Sequence, residues 1–243
     1  MQSVQPYLKA KNQVGKQYSH LYFQEKYLKT VPKVNPSKES SVIYLFNNHI
    51  TKIENLDGFP NMTCLYLQNN DIKRIENLEA LKKLKKLYLS HNHISTLEGL
   101  QTNGNLVELH MEKQSLPNGT PLCFDPRSVM ALSHSLRILN ISNNNISSII
   151  SLTPLINLRF LDASNNDLDD INDVCQTLSH WYHLRDAYFF GNAFTKQHRY
   201  REKIISSSIS LKTLDGKEIS DVMRVFVKRF YMAKMVRSKE SVV

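Results

Sequence analysis

The chain has 243 residues, 41% hydrophobic and 22% charged, a composition that gives a sizeable core and excludes wholesale disorder. Its longest uninterrupted apolar run is the five residues Val42 to Phe46, against the roughly 20 a spanning helix needs, so no membrane is expected among its partners. The formal charge of +9 raises the question of nucleic acid, which turns on where the basic residues fall.

Residues 1–19 read as a polar lead without an apolar h-region, so no secretion signal is expected. Cys64, Cys123 and Cys175 are odd in number, more than 50 residues apart, and free of any C-x-x-C. That pattern suits reduced thiols in a reducing compartment, not a disulfide framework or a zinc knuckle.

From residue 20 a period takes over. The pattern L-x-L-x-x-N-x-I-x-x-I stands most plainly at Leu65, Leu67, Asn70, Ile72 and Ile75, and its central slot falls at 26, 48, 70, 92, 114, 144, 166 and 192. The steps are 22, 22, 22, 22, 30, 22 and 26. A fixed period of this length is the signature of a leucine-rich-repeat solenoid. In L-x-L two apolar residues flank an outward one, giving a short strand with one buried face. The apolar residues that follow, such as Ile72, Ile75, Leu78 and Leu81, are spaced by three and suit a tight helical turn on the way back. The predicted fold is an α/β solenoid, a curved horseshoe with short parallel strands on the concave face and 3-10 or short helices on the convex face. It has about eight coils over 20–194, the first degenerate. Each asparagine is expected to bond backbone groups at its bend, with Gln114 an imperfect substitute and Lys26 marking a capping coil.

The 30-residue step holds an insertion near 117–135, where Asp125 and Pro126 predict a helix start ahead of Val129, Met130 and Leu132. In the 26-residue step Val174, Leu178 and Trp181 are placed on a buried helix face. Residues 195–243 read as a cap and a basic helix, with Ile219, Val222, Met223, Phe226 and Phe230 at helical spacing as the face that closes the last coil.

The 22-residue repeat, together with the terminal pattern running from Tyr200-Arg201 through Ile204-Ile205 and Leu211 to Leu214-Asp215-Gly216 and Ile219, resembles the leucine-rich-repeat regulators of protein phosphatase 1. A narrower likeness within that family covers Glu108 to Gln114, Leu116-Pro117, Phe124 to Arg127 and Ser135 to Ile146. The resemblance implies a non-catalytic cytoplasmic scaffold that binds and regulates the phosphatase catalytic subunit. It also implies association with tubulin and a place at the microtubule-organising centre of the cytoskeleton. A structural microtubule or axonemal assembly protein is the alternative.

Register places three outward columns on the concave face. These include Tyr44, Phe46, Tyr66, Tyr88, Glu108, His110, Glu112, Phe160, Asp162, Asp186, Tyr188 and Phe190, the residues expected to bind the partner. Eight of 24 column positions are Phe or Tyr against 9% of the chain, and the columns carry −3 while the chain carries +9. An aromatic, mildly acidic face suits a protein hot spot and repels a phosphate backbone, so nucleic acid is not expected. These side chains are expected to be dispensable to the core. The basic residues Lys52, Lys73, Arg74, Lys82, Lys83 and Lys85 are assigned to the return path. No catalytic constellation, metal site or cofactor motif is read: His180 and His183 lack further ligands, and the Asp167 to Asp173 run lacks the glycine and spacing of a calcium loop. A basic residue followed by V-x-F, the phosphatase docking motif, is approached only by Arg224 to Val227, where valine stands in the aromatic slot.

Overall fold

A computed structural model describes residues 19–35 and 39–240, the side chains of 231–240 excepted; apart from Ser19, the polar lead lies outside the described residues, as do the side chains of Lys234 and Arg237. Each L-x-L segment forms a three-residue strand: β1 His20–Tyr22, β2 Val42–Tyr44, β3 Cys64–Tyr66 and β4 Lys86–Tyr88. After a two-residue strand on the return path, β5 Thr96–Leu97, come β6 Glu108–His110 and a second short one, β7 Cys123–Phe124. Then follow β8 Ile138–Asn140, β9 Phe160–Asp162, β10 Asp186–Tyr188, β11 Thr213–Leu214 and β12 Lys217–Glu218. The main sheet has ten strands in the order β1-β2-β3-β4-β6-β8-β9-β10-β11-β12, parallel until β12 turns back on β11, while β5 and β7 pair separately.

Register is uniform because the repeat is. The middle residue of each strand pairs with the middle residue of the next, as Leu65 with Leu87 and Leu87 with Leu109, and all of these point into the core. One stripe per coil is too narrow to shed water alone, so successive coils share a single continuous core from Val31 to Val227. On the return path Leu56, Phe59 and Met62, and again Leu78, Leu81 and Leu84, sit three apart and close consecutive i→i+3 turns. Longer returns become helices. Asp125 accepts from the Ser128 amide at the start of α1, Pro126–Leu132, and Asp170 from Asn172 at the start of α2, Ile171–Ser179. Trp181 follows α2, 1% exposed, its indole nitrogen 3.3 Å from the Thr153 carbonyl.

A ladder of amides holds the bends. Asn70 donates to the Leu45 and Leu67 carbonyls at 3.0 Å each and accepts from the Ile50 amide at 3.0 Å. Asn92, Asn166 and Asn192 repeat that set in their own coils, while Asn144 donates alike to the Met111 and Ile141 carbonyls but accepts from the Gln114 amide. Gln114 is no weak copy: it donates to Leu89 and Met111 and accepts from Ile94 at 2.9 Å, its extra methylene taken up within the bend. The residue before each slot is left-handed, from Glu25 and Asn47 through Lys113 to Gly191, with φ between 51° and 81°. At Gly191 a Cβ would lie 2.1 Å from Asn165 Oδ1, so that bend takes glycine.

The first and last of the described coils carry other side chains in the asparagine's role. Lys26 turns its ammonium onto the Tyr22 carbonyl at 2.7 Å and over the Phe23 ring. At the other end Asp215 Oδ1 accepts from the Phe189 and Phe190 amides, and Oδ2 from the Tyr200 hydroxyl at 2.7 Å. Tyr200 opens α3, Tyr200–Ser207, whose Arg201 grips the Leu214, Lys217 and Glu218 carbonyls. The final helix, α4 Asp221–Glu240, corrects an expectation. It buries Val227 and uses Arg224 to bond the Ser208 and Leu211 carbonyls, while Val222, Met223 and Phe226 face solvent at 80%, 39% and 61% exposure. Ile219 is buried as expected, but Phe230 lies under the Arg199 guanidinium.

Candidate functional site

Tyr22, Tyr44, Tyr66, Tyr88 and His110 occupy the same register position on five neighbouring strands. Parallel strands lie about 4.8 Å apart, and flat rings at that pitch stack. Successive centroids are 5.0, 4.8, 4.6 and 4.7 Å apart, with interplanar angles of 3° to 12°. Phe46 meets the edge of Tyr44 at 85°. The stack revises the expectation of separate anchors dispensable to the fold: the ring faces cover one another and the edges are presented.

The stack ends on Glu108. Its Oε1 accepts from the Tyr88 hydroxyl at 2.7 Å and lies 3.0 Å from His110 Nε2, and Lys86 Nζ sits 2.8 Å from Oε2. Burial pushes this carboxyl up, yet the bonds from Lys86, Tyr88 and His110 outweigh it and hold it at about 2. The same contacts raise the Lys86 ammonium, through the hydrogen bond to Glu108 first. Burial, then the bond to Glu108, raises the Tyr88 hydroxyl, and burial raises that of Tyr66. Glu112 Oε2 is buried without a hydrogen bond, 3.9 Å from His110 Nδ1.

Beyond His110 the face changes character. Phe160 and Tyr188 tilt together at 5.6 Å, Phe190 stands edge-on to Tyr188, and Phe190 is 47% exposed. The carboxylates are less free than their sequence suggests. Asp162 accepts from the Ser164 amide and hydroxyl, and Asp186 accepts from Thr213 Oγ1. Val42, Ser90, Ser142 and Ser164, counted among the outward columns, are buried. The twelve candidate residues thus form two groups, an aromatic stack ending in the Glu108 cluster and an aromatic group over β9 and β10.

One column escaped the sequence reading. The residue preceding each strand hands its carbonyl to the next coil, linking Thr63, Lys85, Val107, Arg137, Arg159, Arg185 and Lys212 along the leading edge of the sheet. Lys85 therefore belongs to this edge and not to the return path. The signal was present, since these positions sit one residue ahead of the first outward column in the same 22-residue register. A groove of about 920 Å³ lies elsewhere, among Thr51, Asp71, Arg74, His93 and Leu116, where Asp71 bridges His49 and His93 at 3.4 Å each. Among the described residues no group of three or more His, Cys, Asp or Glu is placed to hold a metal ion, and no helix is long and apolar enough to cross a membrane. Arg224 to Val227 lies within α4 with Val227 in the core, so this stretch is a lid and not an extended docking peptide.

Leucine-rich-repeat family models match residues 41–83, 60–102 and 135–154. The chain carries leucine-rich repeats over these residues and folds as a leucine-rich-repeat solenoid. Its repeats are similar to those of leucine-rich repeat- and IQ domain-containing protein 1 of Mus musculus, 29% identical over 96 residues, which is 40% of this chain and 6% of that protein. Among solved structures, a leucine-rich-repeat protein of Leptospira interrogans has a TM-score of 0.60 at 21% identity, covering 73% of this chain and 43% of the other. An internalin of Listeria monocytogenes gives 0.56 at 22% identity, covering 72% and 48%. These likenesses establish the solenoid fold. Leucine-rich repeats are protein-interaction scaffolds, and the matched models carry no enzymatic domain.

Proposed function

We propose that the concave face of this leucine-rich-repeat protein binds and regulates the catalytic subunit of protein phosphatase 1. The observation that carries the proposal is the run of aromatic edges from Tyr22 to His110, continued by Phe160, Tyr188 and Phe190, on a sheet that no other described element covers. Large, rigid aromatic groups ordered before binding lose little entropy when a partner arrives. The resemblance to the phosphatase-regulator family, and most narrowly to protein phosphatase 1 regulatory subunit 42 over Glu108 to Ile146, supplies the partner. The cytoplasm and the microtubule-organising centre, with tubulin as a second partner, follow from the same resemblance.

The test is calorimetric affinity for purified catalytic subunit at fixed salt. Phe190→Ala with Tyr188→Ala should weaken binding by about 2 kcal/mol or more per anchor. Neither ring is in the inner core, so the melting temperature should hold within a few degrees. Wild-type affinity in the folded double variant removes the concave face from the interface. No affinity in the parent chain, together with binding to tubulin, favours the alternative of a microtubule or axonemal assembly protein.

A further inference from the structure

The leading edge carries four bases in consecutive coils: Arg137, Arg159, Arg185 and Lys212. Neighbouring strands are about 4.8 Å apart, so the four span about 14 Å in a straight strip. None of them makes a salt bridge among the described residues, and Arg159, Arg185 and Lys212 are exposed. Asp186, on the adjoining column, accepts from Thr213. Like charges set side by side on adjacent strands repel, and no salt bridge among the described residues offsets that repulsion.

Two hollows open along the strip and share its arginines. One, about 530 Å³, has Val107, Ile138 and Phe160 as its apolar lining, with Arg137, Arg159 and Arg185 around it and His110 and Asp186 on its wall. The other, about 320 Å³, lies among Tyr182, Ile209, Arg159, Arg185 and Lys212, with Tyr182 65% and Ile209 76% exposed. Guanidiniums beside an apolar recess match one kind of ligand: a chain that alternates carboxylates with a large apolar side chain. A guanidinium fork takes a carboxylate through two parallel hydrogen bonds. An extended segment rises about 3.3 Å per residue, so four or five residues cover the strip.

We propose that the leading edge of the C-terminal coils is a docking site for an acidic segment of a partner protein, with carboxylates on Arg137, Arg159, Arg185 and Lys212 and an apolar side chain seated over Ile138 and Phe160. A nucleic acid fits less well. The strip is one residue wide, and Glu108, Asp162 and Asp186 flank it on the adjoining columns, where a second row of phosphates would fall. The site is separate from the phosphatase reading and stands or falls without it.

The experiment is fluorescence anisotropy with the full chain and a labelled ten-residue peptide of alternating glutamates around a central phenylalanine. The same peptide with glutamine for glutamate and a single-stranded oligouridylate serve as comparators. Binding of the glutamate peptide should weaken at least about tenfold in Arg159→Glu/Arg185→Glu and fall steeply with salt. It should be unchanged in Lys82→Glu/Lys83→Glu, on the convex side. Both pairs change exposed side chains, and melting curves confirm folding. Absence of binding to the parent chain, equal binding of the glutamine peptide, or equal affinity in the arginine variant overturns the proposal. So does oligouridylate that binds more tightly than the peptide and is lost in the same variant, which reassigns the strip to nucleic acid.

Discussion

Glu108 shows how one side chain is fixed by its register. Lys86 lies directly across from it on β4, and Tyr88 and His110 are each two residues along, on β4 and β6, so three donors reach a carboxylate that is 13% exposed. Its lowered pKa has a definite sign. A carboxyl held at about 2 when folded and at 4.5 ordinarily contributes stability above pH 4.5, and loses it as pH falls towards 2. Glu108→Gln should therefore cost about 2 kcal/mol near neutrality, the worth of a charge-assisted bond network, and cost progressively less below pH 4.5. Urea titrations of parent and variant across that range check it; a deficit independent of pH would mean the charge is not what stabilises. Tyr88 and Tyr200 run the other way. Both are raised by burial and a carboxylate partner, Tyr200 to about 12, so their contribution is intact below pH 10 and is lost as pH rises past it.

At the scale of elements, the aromatic column behaves as a part of the fold. Tyr66 is sandwiched at 4.8 and 4.6 Å between Tyr44 and Tyr88. Tyr66→Ala should lose about 1–3 kcal/mol, two stacked pairs, while Tyr66→Phe, which keeps the ring, should stay within about 0.5. Equal losses in chemical denaturation would show that the hydroxyl, not the stack, matters. The repeat in the sequence located this column, because side chains spaced by 22 residues share a register position, but it could not give the tilt of the rings. The leading edge went unread for a simpler reason. The outward columns were started at the first strand residue, so Arg137, Arg159 and Arg185 were not grouped as a column. In α4 two faces satisfy helical spacing. The wetter one, through Val222 and Phe226, has more apolar residues, but Val227 packs into the core and Arg224 reaches the carbonyls left open by the last coil, and these decide the orientation.

The whole molecule is a stack whose coils touch only their neighbours, so its stability is a chain of interface terms closed at the ends. Asp215 does for the final coil what an asparagine does for the others. Asp215→Ala would strip partners from the Phe189 and Phe190 amides and the Tyr200 hydroxyl at once, and should cost about 2–4 kcal/mol. The damage should be local: amide exchange should quicken in β9, β10 and β11 and stay unchanged in β2 to β4. A uniform rise across the sheet would falsify the nearest-neighbour description. The solenoid and its outward columns were legible because one spacing repeats. The helix start at Asp125-Pro126 in the insertion was legible from its capping residues, whereas the pairing of β5 with β7 and the bonds of the caps required tertiary partners that no period encodes.

The positions of two chromophores have a practical consequence. The protein has one tryptophan, Trp181, sealed beside α2 in the C-terminal half, while four phenol rings are stacked on the first four strands. Indole emission thus reports on one end of the molecule, and the near-ultraviolet dichroism of coupled phenols on the other. Without any label attached, the two signals give separate views of the two ends. Their separation along a denaturant axis measures how far an opening at one end travels before the other end feels it.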